Sequence, residues 1–200
     1  MSLGHALGLF THPDKEWASI RAEDESVGKL YFTHILLLAL IPAAAGYYGT
    51  TEVGWSVAGG ELVKLTSSSA MQLCGLFYVA MVTGVYLIGK FIDFFGATFG
   101  VEDSHPRGFI LAAYTSTPLF IMGLIAVYPV VWVNMLAGVV AVAYAVYLLY
   151  EGLPILMKIP SERGFIFASS VLTVGLVMLV GLFAISVIVW SVGIGPVYTS

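Results

Sequence analysis

Five stretches of this chain are too long and too uniformly apolar to be packed inside a water-soluble core of 200 residues. They run from Tyr31 to Tyr48, Ala70 to Phe95, Phe109 to Val127, Asn134 to Tyr150 and Phe165 to Val192. Crossing the hydrocarbon of a bilayer takes about 20 predominantly apolar residues in a helix, and only helices or closed barrels satisfy their backbone polar groups there. Composition agrees, with 59% of residues apolar and 10% charged. The expected fold is all-α: a polytopic bundle of five transmembrane helices over residues 30–200, preceded by a short amphipathic segment over residues 1–29.

Lysine and arginine set the expected orientation, because cations in short loops are retained in the cytoplasm. Lys15, Arg21, Lys29, Lys90, Arg107, Lys158 and Arg163 fall on one side of the five spans, and only Lys64 falls on the other. The N-terminus is therefore expected in the cytoplasm and the C-terminus across the membrane. Residues 1–30 carry many charges and no apolar stretch ending in a small-residue cleavage site, so no secretory signal is expected and the mature chain should begin near Met1.

In the N-terminal segment, Leu3, Leu7 and Phe10 recur at helical spacing, as in a helix lying flat on the leaflet, although a frayed terminus would carry the same residues. Thr11 or His12 can cap a second helix, with Pro13 in its first turn and Asp14 and Glu16 at its positive end. Trp17 and Ile20 are then expected to face lipid. Ala137, Ala141 and Ala145, and Ala80 with Gly84, form small-residue stripes that would allow close helix packing.

Several function classes are excluded by what the chain lacks. Its 8 cations against 12 anions form no basic stripe, so no nucleic-acid partner is expected. Cys74 is the single cysteine, which rules out an intrachain disulfide. No nucleophile–base pattern, glycine-rich phosphate loop, zinc helix or calcium loop appears, so neither an enzyme nor a cofactor is expected.

The candidates that remain are polar groups in or beside the spans, which cost several kcal/mol in hydrocarbon. His34 lies one turn into the first span, Asp93 at the end of the second and Glu151 at the end of the fourth, all at similar depth. Glu102, Asp103 and His105 are close by in sequence, and His12 and Glu16 precede the spans. The three deep groups could mark the membrane boundary, with Asp93 paired to Lys90. They could instead converge on a shared pocket for a cation, a proton or a lipid headgroup, or contribute to a metal site, although no ligand pair has a characteristic spacing. In the third span Tyr114, Thr115, Ser116 and Thr117 could line an aqueous route or bond back to their own helix, and Pro118 and Pro42 should each free a carbonyl and kink a span.

Three segments carry a family resemblance. Phe10-Thr11-His12-Pro13-Asp14-Lys15-Glu16-Trp17-Ala18-Ser19-Ile20 is similar to a pre-membrane segment, and Phe95-Gly96 to Gly100, then Gly108 to Pro118, to a glycine-containing loop and tyrosine–proline third span. Tyr147-Leu148-Leu149-Tyr150-Glu151-Gly152-Leu153 with Lys158 is similar to a tyrosine–glycine–leucine turn. In these the chain resembles the Yip family, five-span membrane proteins first known as partners of Rab-type GTPases, and its bacterial members in particular. The Asp-Leu-Tyr-Gly-Pro element and long polar N-terminal region of the eukaryotic members are absent, so Rab binding is not expected. The resemblance implies a bacterial inner-membrane protein with a membrane-organising or interaction role, and a membrane-protein partner or a second copy of the chain beside the lipid bilayer. The alternative is a small transporter or channel for an ion, metabolite or lipid, though no inverted repeat of the kind common in transporters is visible.

Overall fold

The structure, a computed structural model, describes residues 2–23, 26–56, 60–101 and 105–199. Two short helices, α1 (Ser2–Thr11) and α2 (Pro13–Ala22), precede five that are long and apolar enough to cross a membrane. These are α3 (Val27–Val53), α4 (Ser67–Phe99), α5 (Arg107–Val127), α6 (Val131–Met157) and α7 (Ser161–Ser191). The first four contain their expected spans, the fifth stops one residue short of Val192, and most extend the span at one end by about a turn, because polar residues at helix ends reach the headgroup region without breaking the backbone ladder.

Local chemistry sets the boundaries. Pro13 opens α2 with Asp14 and Glu16 in the first turn; His12 holds the cap position, but its side chain makes no capping bond. The Ser26 hydroxyl accepts the Lys29 N–H at the start of α3, and Thr66 accepts the Ser69 N–H at the start of α4. The expected turn at Glu151–Leu153 is instead helical: α6 runs on through Gly152 and Pro154 and reverses only at Lys158, whose left-handed φ of 55° ends it. Pro154 falls in the last turn and forgoes one backbone bond, to the Tyr150 carbonyl, while the helix continues to Met157.

The helices are not equivalent. In α3 and α5, 44% of the most apolar 18-residue window is buried, against 6% in α4 and in α7. So α3 and α5 form the centre, with the others packed around them and offering their outer faces to lipid. Val177, Val180, Phe183, Val187 and Trp190 along the far half of α7 are all more than half exposed, an arrangement that a bilayer tolerates and water would not. The dense core lies toward the end where α1 and α2 sit, around Ile92, Leu111, Tyr114, Leu148, Leu153 and Phe167.

Close helix approaches occur at glycines that the alanine stripes did not indicate. A Cβ at Gly49 of α3 would collide with the Ala126 carbonyl oxygen of α5, and one at Gly123 would lie 3.1 Å from Pro42 Cα. Gly89 of α4 approaches Phe109 Cα at 3.0 Å on the same measure. Ala137 and Ala141 are buried as the stripe suggested, but Gly84 faces open space, so Ala80 and Gly84 mark no tight crossing.

Across the bundle from α1 and α2, the chain between α3 and α4 is tied to the C-terminal segment. Trp55 pairs with Val63 and Leu65 with Tyr198 in isolated antiparallel bridges, and the Val197 N–H donates to Ser69 Oγ at 3.0 Å.

Candidate functional site

The N-terminal helices do not lie flat with their apolar faces in lipid. Trp17 is fully buried, Ile20 and Leu9 nearly so, and all three join the main core. The indole of Trp17 fits against Gly152 of α6, where a Cβ would fall 2.7 Å from Cζ2. Around it, Arg21 Nη1 donates to the Ile155 carbonyl at 2.9 Å, the Tyr144 hydroxyl donates to the Leu9 carbonyl at 2.9 Å, and Phe10 stacks on Tyr144 with centroids 5.2 Å apart. The apolar stripe was legible. Its destination depended on the groove that Gly152 leaves in α6, and a protein surface complementary in shape recovers dispersion contacts that mobile lipid chains supply less completely. Leu7 remains 70% exposed and is the outward residue of this hairpin. The side chain of Leu3 lies outside the described residues.

Tyr114 of α5 stands at the centre of this end, fully buried, with three rings around it. His34 lies 4.9 Å away by centroids, His5 6.0 Å and Trp17 6.3 Å, the last two edge-on. His34 projects from a widened π-type turn, Tyr31–Ile35, and is fully buried. Its Nε2 is hydrogen-bonded to Thr117 Oγ1 at 2.9 Å. The Thr117 hydroxyl also reaches the Ala113 carbonyl at 3.4 Å; with its proton there, it accepts from an Nε2–H of His34. His34 Nδ1 and Trp17 Nε1 have no hydrogen-bond partner among the described residues.

The rest of the third-span polar stretch turns inward on its own helix. Thr115 Oγ1 donates to the Leu111 carbonyl at 2.7 Å and Ser116 Oγ to the Ala113 carbonyl at 2.8 Å. Ser116 is also where α5 bends, with Pro118 opening the next helical segment. Back-bonding is how a hydroxyl is satisfied in an apolar surrounding when no other acceptor is at hand.

The boundary groups make separate sets of contacts. His34 bonds to Thr117. Asp93 Oδ1 accepts the Gly108 N–H at 2.9 Å, so the carboxylate caps the first turn of α5 from a neighbouring helix, where negative charge is favoured. Glu151 lines a groove of about 530 Å³ with Tyr147, Tyr150, Ile155, Ser161 and Phe165, and neither His34 nor Asp93 is among its walls. Lys90, expected beside Asp93, lies over the rings of Tyr86 and Phe109, 5.9 and 5.5 Å from their centroids. Glu102 and Asp103 lie outside the described residues, and His105 packs edge-on against Phe109. Among the described residues no group of three or more His, Cys, Asp or Glu side chains is placed to hold a metal ion.

Sequence reasoning placed no weight on His5, which is 7% exposed and ties α1 to α2. Its Nδ1 meets Glu16 Oε1, and its Nε2 lies 3.1 Å from Glu23 Oε1. Its spacing of 11 from Glu16 spans two helices and has no periodic signature. Burial opposes protonation of His5, but the bonds and charges of the two carboxylates outweigh it, so its pKa lies above the ordinary 6.5. The bond from His5 holds Glu23 below its ordinary 4.5 despite some desolvation. A raised histidine pKa contributes stability that is complete below 6.5 and is lost as pH rises through the folded value; the depressed Glu23 contributes above 4.5 and loses it on acidification. His5→Gln is therefore expected to lower the thermal midpoint most between pH 4.5 and 6.5 and progressively less in alkali. A difference that grew with rising pH would contradict the ion pair.

With this geometry in place, comparison with known proteins identifies the relatives. The family model of the Yip1 domain matches residues 7–195. The chain belongs to the Yip1 family. The match takes in the second half of α1, α2, all five long helices and the connections between them, so Trp17, His34 and Tyr114 lie within the Yip1 domain and His5 lies just before it. Two curated relatives, each named Inner membrane protein YohC and coming from two strains of Escherichia coli, are 39% identical over 96% of this chain and 98% of their own length. No solved structure matches this Yip1 domain.

Proposed function

We propose that this multi-pass membrane protein is a non-enzymatic component of a bacterial inner membrane that acts by interaction, holding a membrane-protein partner or a second copy of itself, or organising the bilayer around it. The observation that supports this most is the closure of the third span: Thr115, Ser116 and Thr117 spend their hydroxyls on their own backbone and on His34, beneath Tyr114 and Trp17. Hydroxyls lining an aqueous route would be turned toward it. The inner-membrane relatives support the location, and the seven-to-one cation bias supports a cytoplasmic N-terminus and a periplasmic C-terminus. The exposed Leu7 and the half-exposed Phe10 then present an apolar edge to the cytoplasmic side, suited to a partner helix.

Two measurements test this reading. A reporter fused after Ser200 is expected to read as periplasmic, and one inserted at the Lys158 reversal as cytoplasmic; the opposite pattern would overturn the orientation. Purified protein in liposomes is expected to move no ion or lipid, and Leu7→Glu is expected to abolish in-membrane crosslinking to its partner while leaving the fold intact. Flux that Thr117→Val stops would replace interaction with transport.

A further inference from the structure

Glu151 is a half-buried carboxylate on a spanning helix, and among the described residues no cation lies within ion-pair range of it. Its surroundings are aromatic. Tyr147 and Tyr150 of α6 and Phe165 of α7 share its groove, with Tyr150 and Phe165 tilted at 50° and their centroids 5.2 Å apart. The negative faces of rings beside an unpaired carboxylate attract an ammonium group, and the carboxylate oxygens favour one that carries N–H donors.

The opposite charge is catered for beside the groove, by Arg21. Ser161 begins the 31-residue α7, whose cap position is held by Pro160 with no side-chain bond to the first turn. The first turn of this helix also carries Glu162, so it offers a headgroup the Ser161 hydroxyl and no favourable field for an anion. Arg21 is fastened to the carbonyl of Ile155, itself a groove residue, and its remaining guanidinium donors stay available at the rim. Tyr147 is 46% and Phe165 62% exposed on helices that span the membrane, so the groove opens beside acyl chains. At about 530 Å³ it has the size of a small-molecule site.

We propose that the groove between the ends of α6 and α7 binds the headgroup of a zwitterionic phospholipid bearing a primary ammonium, with the ammonium on Glu151 among the rings and the phosphate toward the Arg21 guanidinium. The inference concerns a lipid site and stands apart from the partner-binding reading above, since neither outcome of the flux test bears on it.

Native mass spectrometry of delipidated protein in detergent tests it, with phosphatidylethanolamine and phosphatidylglycerol of identical chains as competitors. Phosphatidylethanolamine is expected to be retained preferentially. Glu151→Gln, nearly isosteric, should weaken that retention by about tenfold, as the loss of a charge-assisted contact would, and leave phosphatidylglycerol unchanged. Tyr147→Leu, at a half-exposed position, should reduce the preference with little change in thermal stability, which keeps the test informative if Glu151→Gln folds poorly. Equal retention of the two lipids by the wild type, or an unchanged preference in both variants, would overturn the site. Equal retention of phosphatidylcholine would overturn the primary ammonium, and equally tight binding of soluble glycerophosphoethanolamine would overturn the lipid as its source.

Discussion

Trp17→Ala is expected to cost about 3–5 kcal/mol, the range for removing a fully buried large aromatic side chain. The indole lies outside the spanning segments, so its burial removes apolar surface from water and from the interface, and it is held between Tyr114 and Gly152. It makes no hydrogen bond among the described residues, so the loss is one of packing. The partner change probes the same contact from the other side. Gly152→Ala puts a methyl where the indole stands and should cost about 1–3 kcal/mol through overpacking, but little or nothing once Trp17 is alanine. Thermal or chaotrope denaturation in detergent, read on the two single variants and the double, measures the coupling. A Gly152→Ala penalty that is the same with and without the indole would show that α2 does not dock in this notch.

Thr117→Val should destabilise by about 1–3 kcal/mol, the cost of leaving a buried ring nitrogen without its partner. Valine matches threonine in shape, so the change isolates the 2.9 Å bond to His34. The converse change should be milder. In His34→Leu the threonine hydroxyl keeps the Ala113 carbonyl as an acceptor, and the leucine fills most of the imidazole's volume. Adding His34→Leu to Thr117→Val is then expected to recover stability, because an apolar pair of similar shape strands no donor. Denaturation of the three variants decides it. A Thr117→Val protein as stable as the wild type would mean that the bond carries no stability and that packing alone holds His34.

Sequence by itself determined the number and the approximate limits of the five long helices, because spanning a bilayer demands a run of apolar residues, and that demand is met by chain-local composition. It also determined the second short helix, through Pro13 and the acidic first turn, whereas for Thr115 and Ser116 it offered back-bonding as one of two outcomes, and the structure chose it, with acceptors three and four residues back on the same helix. Only the tertiary structure decided where apolar faces go: Trp17 and Ile20 carry the same stripe whether they meet lipid or protein, and the choice falls to Gly152, 135 residues from Trp17 along the chain. It decided the fate of the polar groups as well. His34, Asp93 and Glu151 share a depth along their helices, but rotation about each helix axis sends them to Thr117, to the Gly108 amide and to the groove at Ser161. Depth follows from position in the chain, whereas azimuth follows from how neighbouring helices pack, and packing is a property of pairs of surfaces that no single stretch of residues contains.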